Sequence, residues 1–426
     1  MSYSFMDKDA YGSNTMKTKL SVGVIALCLP MMAQAIVAGI DSSENYVVSV
    51  DASSFAEQSR CGGTIINSRW ILTAAHCLIQ SKSTQETSTG NPESFTNYDI
   101  VALKEVSLRA GILDLFQSEL SHRYSVTHVV IHPDYMPLRT TKQTAQGEEL
   151  VSTAYQHDLA LLRVDRDLPA TPVTLVDSVS YQDFITKTTK AWEDWENRDP
   201  ANTPHDVKVL GWGNDSPLSP IIDNTPPILL KETEIVLMPI SDCFNHLEAD
   251  QTLPSYIASS GDLTKLCTLP NQEFHAGDKS YGNGACLGDS GGPLVWTDGV
   301  GNQFQVGIIS ASPLINTVCS SVTYPTWYTN VVTYLDWISA YTDSATPPDQ
   351  QITKPTFMMT ASQETPDDST SESGGQTNEC SSNTSASVGG GEVGLGCAGS
   401  ESSGSVNWVS LLGLLLFWLA RRKACE

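Results

Sequence analysis

Residues 282–294 read Gly-Asn-Gly-Ala-Cys-Leu-Gly-Asp-Ser-Gly-Gly-Pro-Leu, with Ser290 near their centre. Glycines let a backbone turn tightly without Cβ clashes. In such a turn the N–H groups of Gly288 and Ser290 can meet an oxygen that gains negative charge during acyl transfer. A serine hydroxyl is a poor nucleophile at neutral pH. It needs a neighbouring base, and the base needs a carboxylate to fix its tautomer. Without those partners, Ser290 would be only a serine in a glycine-rich loop.

Two further stretches supply them. "LTAAHC" presents His76, between Ala74-Ala75 and Cys77, and "HDLALL" presents Asp158 at the head of the apolar run Leu159–Val164. A carboxylate beside a core strand is costly unless something donates hydrogen bonds to it. "GDSGG" also satisfies G-x-S-x-G, the nucleophile elbow of α/β-hydrolases, which needs its histidine after the serine. The last histidine here is His275, so chain order excludes the elbow. The order His76, Asp158, Ser290 is that of the chymotrypsin group.

The surrounding sequence fits an all-β fold. Short runs rich in Val, Ile and Thr, such as "VTHVVIHPDY", "VKVLGWGN" and "QVGIIS", are separated by Gly, Pro, Asn and Asp clusters, the pattern of a sandwich or barrel. Only residues 331–343 have a clear helical period, with Val331, Leu335, Trp337 and Ile338 on one stripe. The polar stretches 80–98, 139–156 and 187–206 read as surface loops.

Residues 36–343 resemble a trypsin/chymotrypsin-type serine protease. The resemblance is carried in order by "IVAG", "CGGTIINSRWILTAAHC", "HDLALLRV", "VLGWG", "CLGDSGGPL" and "WYTNVVTYLDWI". It implies two packed six-stranded antiparallel β-barrels, a cleft between them and a C-terminal helix. It also implies roles: His76 as general base, Asp158 orienting it, Ser290 as nucleophile, and Gly288 and Ser290 as the oxyanion hole. Ser310, in "IISAS", resembles the serine that hydrogen-bonds the triad aspartate and begins the edge strand that pairs with substrate. Six of the ten cysteines fall in this region, and the resemblance pairs Cys61–Cys77, Cys243–Cys267 and Cys286–Cys319. Such disulfides fit an oxidising compartment.

By the same resemblance Gly284 lies at the floor of the substrate pocket and Ser312 and Thr326 on its walls. A glycine at the floor lacks the acid that cleavage after Arg or Lys needs, and the narrowed walls resemble those of elastases, favouring small aliphatic P1 residues. Narrow-specificity processing and a non-catalytic protease-fold surface binding protein are the alternatives. Asp114 and Glu119 match a calcium loop poorly and read as solvated acids. No metal or cofactor is expected.

The ends of the chain speak of export. Lys17 and Lys19, the apolar "LSVGVIALCLP" and "MMAQA" form the three regions of a signal peptide over 1–35, with Met16 as an alternative start. In the resembled family an Ile-Val terminus folds inward to pair with the aspartate beside the nucleophile, here Ile36 with Asp289. No basic residue precedes Ile36, so signal peptidase itself is expected to generate that terminus. Residues 344–405 are rich in Ser, Thr, Gly, Pro and acids and read as a disordered linker. The apolar 406–420 run and Arg421-Arg422-Lys423 form a transmembrane or sorting segment, 406–423. This tail resembles the GlyGly sorting signal of some Gram-negative bacteria, cut by a rhomboid-type sortase during export through the periplasm to the surface. Without cleavage it would hold the protein in the inner membrane, facing the periplasm. The formal net charge of −24 argues against nucleic acid as a partner and leaves protein or peptide substrates.

Overall fold

The computed structural model describes residues 36–52, 61–86, 93–144, 147–195, 203–215, 228–248, 256–312 and 319–360. The expected signal peptide, the 361–405 part of the linker and the 406–423 segment lie outside the described residues. Among those described, no helix is long and apolar enough to cross a membrane.

Six strands come from the first half of the domain: β1 (Val47–Asp51), β2 (Cys61–Ile65), β3 (Trp70–Thr73), β4 (Ser107–Arg109), β5 (Arg123–Ile131) and β6 (Ala160–Val164). They pair antiparallel in the order β6-β3-β2-β1-β4-β5, and β5 pairs back onto β6 to close a barrel. Leu161 sits opposite Leu72 on one side and Val130 on the other. The second half supplies β7 (Val207–Gly211), β8 (Lys231–Met238), β9 (Lys265–Leu269), β10 (Pro293–Thr297), β11 (Gln303–Ala311) and β12 (Thr326–Asn330). Their order is β8-β7-β10-β11-β12-β9, closed by β8 on β9. The two six-stranded antiparallel barrels expected from the resemblance are present.

The short β-branched runs form strands because each fits a pleated surface buried on the barrel side. Closure removes the edges that short strands would otherwise expose. Val47, Val48, Ile65, Ile71, Ile131 and Leu162 are fully buried in the first core, each contributing about 1.5–3 kcal/mol. That core also takes Leu210, Trp212 and Val295 from the second half. The barrels therefore share packing at their seam, and side chains there are fixed from both sides.

Several stretches read as loops are regular. Across 80–98, Ile79–Glu86 pairs antiparallel with Glu93–Ile100, and across 139–156, Met136–Thr144 pairs antiparallel with Gly147–Gln156. Their polar composition shows no apolar alternation, so the pairing leaves no period in the sequence. A helix, α1 (Ser178–Asp194), precedes the second barrel and runs into the 187–206 stretch. Asp177 caps it by accepting from Ser180 N at 2.7 Å, and Phe184 and Thr188 are its buried positions. Its serines and threonines are weak helix formers, and tertiary packing of Phe184 against Trp296, centroids 5.6 Å apart, holds it instead. A shorter helix, α2 (Ile240–Glu248), buries Cys243. The expected C-terminal helix is a 3₁₀ turn, Val331–Tyr334, followed by α3 (Leu335–Thr342). Ile338 of α3 packs in one cluster with Leu72, Val130 and Leu161 of the first barrel. The linker expected from 344 onward is not free chain at its start. Residues 352–360 contain a short strand on β5 and a one-turn helix.

Candidate active site

His76 stands on a 3₁₀ turn, Ala75–Cys77, directly after β3. Asp158 lies just before β6 and is only 1% exposed. His76 Nδ1 is 2.7 Å from Asp158 Oδ2, and the His76 backbone N–H donates to Oδ1 at 2.9 Å. The Ser310 hydroxyl donates to Oδ2 at 2.6 Å, and the Thr329 hydroxyl donates to the Asp158 main-chain oxygen at 2.8 Å. Burial alone would push this carboxyl up, but the charge and hydrogen bonds of His76, with the Ser310 hydroxyl, hold it below the ordinary carboxylate range. An ionised Asp158 accepts from Nδ1–H, which leaves Nε2 as the basic nitrogen.

The Ser290 loop is tied to the first barrel. Gly62 N donates to Ser290 O at 2.7 Å, and the Thr73 hydroxyl donates to Gly62 O at 2.7 Å. Cys61, next along β2, is bonded to Cys77, which follows His76. One strand thus anchors both the histidine turn and the serine loop. Gly291 has a φ of +80°, and a Cβ there would lie 2.4 Å from Thr73 Oγ1 and 2.5 Å from Gly62 O, so only glycine fits. Gly291 N and Gly292 N donate within the fold, whereas the N–H groups of Gly288 and Ser290 have no acceptor among the described residues. Two unspent donors in one turn, one of them the serine's own N–H, suit a developing oxyanion.

Asp289 is fully buried. Its oxygens accept from Gly213 N at 2.7 Å and Cys286 N at 2.9 Å. Burial pushes its carboxyl up to about 7, against those two hydrogen bonds. Ile36 is also fully buried, in the second-barrel core with Ala285. Val37 N donates to Gly284 O at 3.0 Å, and Gly284 N donates to Val37 O at 3.2 Å. While Ile36 is joined to residue 35 its nitrogen is an uncharged amide, so the expected Ile36–Asp289 ion pair requires cleavage of the bond between residues 35 and 36.

Gly284 has a φ of +150°, and a Cβ on it would meet Ser320 Oγ at 3.0 Å. The Ser320 hydroxyl donates to Ala285 O at 2.9 Å. Ser320 therefore faces the expected floor, a neighbour that spacing along the chain does not reveal. Ser312 and Thr326 are half-buried beyond the end of β11 and at the start of β12. Ser310 is the penultimate residue of β11. Cys286 is bonded to Cys319, and Cys243 to Cys267. Asp114 is engaged locally: its carboxylate accepts from Phe116 N and Gln117 Nε2, both at 2.9 Å. Among the described residues the one group of metal-ligand types, Cys61, His76 and Cys77, includes two disulfide-bonded sulfurs and cannot offer them as thiolates.

Gly62, Thr73 and Thr329 also escaped the sequence reading, although Gly62 and Thr73 lie inside a stretch quoted for it. Their roles depend on contacts across barrels, which spacing along the chain does not reveal.

Residues 37–338 match the family model described as Trypsin. The chain is 28% identical over 290 residues to serine protease 41 of Homo sapiens, covering 68% of this chain and 70% of that protein. It is 26% identical over 283 residues to glandular kallikrein of Sus scrofa, covering 66% and 85%. With ovochymase of Halocynthia roretzi it shares 29% over 287 residues, or 67% of this chain. The match spans only 14% of that ovochymase and 57% of melanization protease 1 of Drosophila melanogaster. The chain belongs to the trypsin family of serine endopeptidases, with its family domain over residues 37–338.

Proposed function

We propose that this chain is an exported endopeptidase that hydrolyses peptide bonds through an acyl-enzyme on Ser290. The observation that carries the reading is the His76–Asp158 pair, bonded at 2.7 Å beside the Gly288–Gly292 turn. Ser290 Oγ attacks the scissile carbonyl while its proton passes to His76 Nε2. The C–N bond then breaks, and the same proton goes to the leaving amine. Water, deprotonated by His76, releases the acid from Ser290. Gly288 N and Ser290 N receive the oxyanion in each half.

A floor at Gly284 and walls at Ser312 and Thr326 favour small aliphatic P1 residues. The hairpin ending at Gln156, two residues before Asp158, favours a second reading, processing of a narrow set of substrates. Activation by signal peptidase at Ala35–Ile36 is supported by the seating of Val37 on Gly284. Ile36 also holds a φ of +54°, a strained value for a β-branched residue. Cutting at its nitrogen frees that torsion. The three disulfides among the described residues agree with folding outside the cytoplasm. Release by a rhomboid-type sortase, or anchoring through 406–423, belongs to the same proposal.

A fluorophosphonate probe on the secreted protein tests the reading. Covalent labelling of the wild type, lost in Ser290→Ala, is expected; an unlabelled, inactive wild type overturns it. N-terminal sequencing of the same material should begin at Ile36.

A further inference from the structure

The chain beyond α3 turns back onto the first barrel. Val129 N donates to Gln351 O at 2.8 Å, and Ile352–Thr353 form β13, parallel to β5 opposite Val129 and Val130. β4 covers β5 only at Arg123–Ser125, so β13 occupies edge that β4 leaves open. Thr356 N then donates to Pro133 O at 2.8 Å, and the chain enters the one-turn helix α4 (Thr356–Thr360). Met358 is buried in the first core and Phe357 packs against it.

Phe357 opens a ladder of rings that ends at His76. Its ring meets Tyr98 edge-on at 5.3 Å and Tyr135 at 6.2 Å between centroids. Tyr135 is 2% exposed and stacks on Tyr155 at 6.2 Å and 21°. Tyr155 lies nearly parallel to His76, at 4.5 Å and 7°. Tyr155 is held from a second direction, its main-chain oxygen accepting from Nζ of the buried Lys265 at 2.6 Å.

A hydrogen bond from Nδ1 to Asp158 fixes one edge of an imidazole but leaves its tilt about that axis free. A ring packed flat against its face removes the tilt. We propose that Phe357 is a positioning residue for His76, closing the back of this ladder so that Tyr155 keeps the imidazole aimed at Ser290. The strap 349–360 is then part of the catalytic unit rather than the start of a tether. The proposal rests on His76 being the general base. Removing the Phe357 ring leaves a void behind Tyr135, and close-packed interiors relax only partly into such voids. The relaxation passes along the ladder to Tyr155, and a small misplacement of a reacting group is costly in rate.

The test uses the mature protein with its natural C-terminal chain and three variants: Phe357→Ala, Phe357→Tyr, and Met358→Ala, which trims the same strap at a buried side chain that is not one of the ladder's rings. The readouts are kcat and KM on a peptide substrate, the rate of fluorophosphonate labelling, the melting temperature and the His76 Nδ1 proton resonance. Phe357→Ala should lower kcat and labelling about tenfold with KM within about twofold, and move that resonance. Phe357→Tyr should restore both, and Met358→Ala should lower the melting temperature with kcat retained. The proposal is overturned if Phe357→Ala keeps wild-type kcat, or if kcat in both alanine variants simply follows the melting temperature. A wild type that neither cleaves nor labels is a different result, and it overturns the endopeptidase reading together with this one.

Discussion

The Ser310 hydroxyl, carried by the second barrel, donates to the Asp158 carboxylate, carried by the first, at 2.6 Å. Thr329 of the second barrel binds the main-chain oxygen of the same residue. The acid that orients His76 is thus held across the seam, and the cleft geometry depends on both barrels being docked.

Ser310→Ala removes one donor from a buried carboxylate, a loss of about 1.5–3 kcal/mol. Its pH dependence has a definite sign. A carboxyl lowered in the fold adds stability above its ordinary pKa, near about 3.9, and that stability is lost as pH falls through the lowered value. Without Ser310 the folded value rises toward the ordinary one, so the contribution is smaller and is exhausted at a higher pH. Acid unfolding followed by circular dichroism, on a Ser290→Ala background to prevent self-digestion, should show a higher midpoint for Ser310→Ala. An unmoved midpoint would mean that Ser310 contributes nothing to the carboxylate.

Gly62 makes the bracket between the serine loop and β2. A Cβ there would lie 3.0 Å from Gly292 Cα and 3.1 Å from Gly292 N, both backbone atoms that cannot swing aside. Gly62→Ala should push the loop away from the histidine turn and lengthen the Gly62 N to Ser290 O bond. A misplaced nucleophile costs on the order of a hundredfold in rate. Kinetics with the fluorophosphonate probe should therefore show labelling slowed by about that factor, with the fold retained by near-ultraviolet circular dichroism. Labelling at the wild-type rate would remove the bracket from the account.

The proposed substrate pocket is narrow and uncharged. If Gly284 is the floor and Thr326 a wall, charged P1 residues would find no counter-ion and large ones would be excluded. A peptide library should show Ala and Val at P1, with discrimination of about 1–3 kcal/mol per methylene. Thr326→Gly should widen the cleft and raise the rate for Leu or Phe at P1 by about tenfold relative to Ala. Dominant cleavage after Arg or Lys by the wild type would refute the assignment of the floor.

The barrels were legible because their strands are short β-branched runs with turn residues between them, and the order His76, Asp158, Ser290 excluded the competing fold. The motif stretches carried these residues almost entirely in local sequence. What escaped the reading depends on contacts between distant segments. Helix α1 has few strong helix formers and exists because Phe184 finds the second core. The strap was masked by averaging: Ile352, Phe357 and Met358 sit at the front of a long polar stretch that lacks apolar residues as a whole. Tyr155 gave no signal at all, since its position against His76 is set by tertiary packing.

Asp289 yields the sharpest test of how the enzyme is switched on. In the joined chain its carboxyl is buried with two N–H donors and rises to about 7. A carboxyl raised in the fold binds its proton more tightly there than in the unfolded chain. This carboxyl therefore stabilises the joined chain at low pH, and its contribution falls away as pH rises from about 4 to about 7, by an amount on the order of 4 kcal/mol for a shift of about three units. A free α-ammonium at Ile36 would supply the missing counter-charge, return the carboxyl to its ionised form and remove that loss. Urea unfolding at about pH 5 and pH 7.5 on two Ser290→Ala proteins, one joined through residue 35 and one beginning at Ile36, separates the cases. The joined form should weaken between those values and the form beginning at Ile36 should not. Equal pH dependence in the two would show that the new terminus does not reach Asp289, and cutting at Ala35–Ile36 would then have no electrostatic reason to order the Gly288 turn.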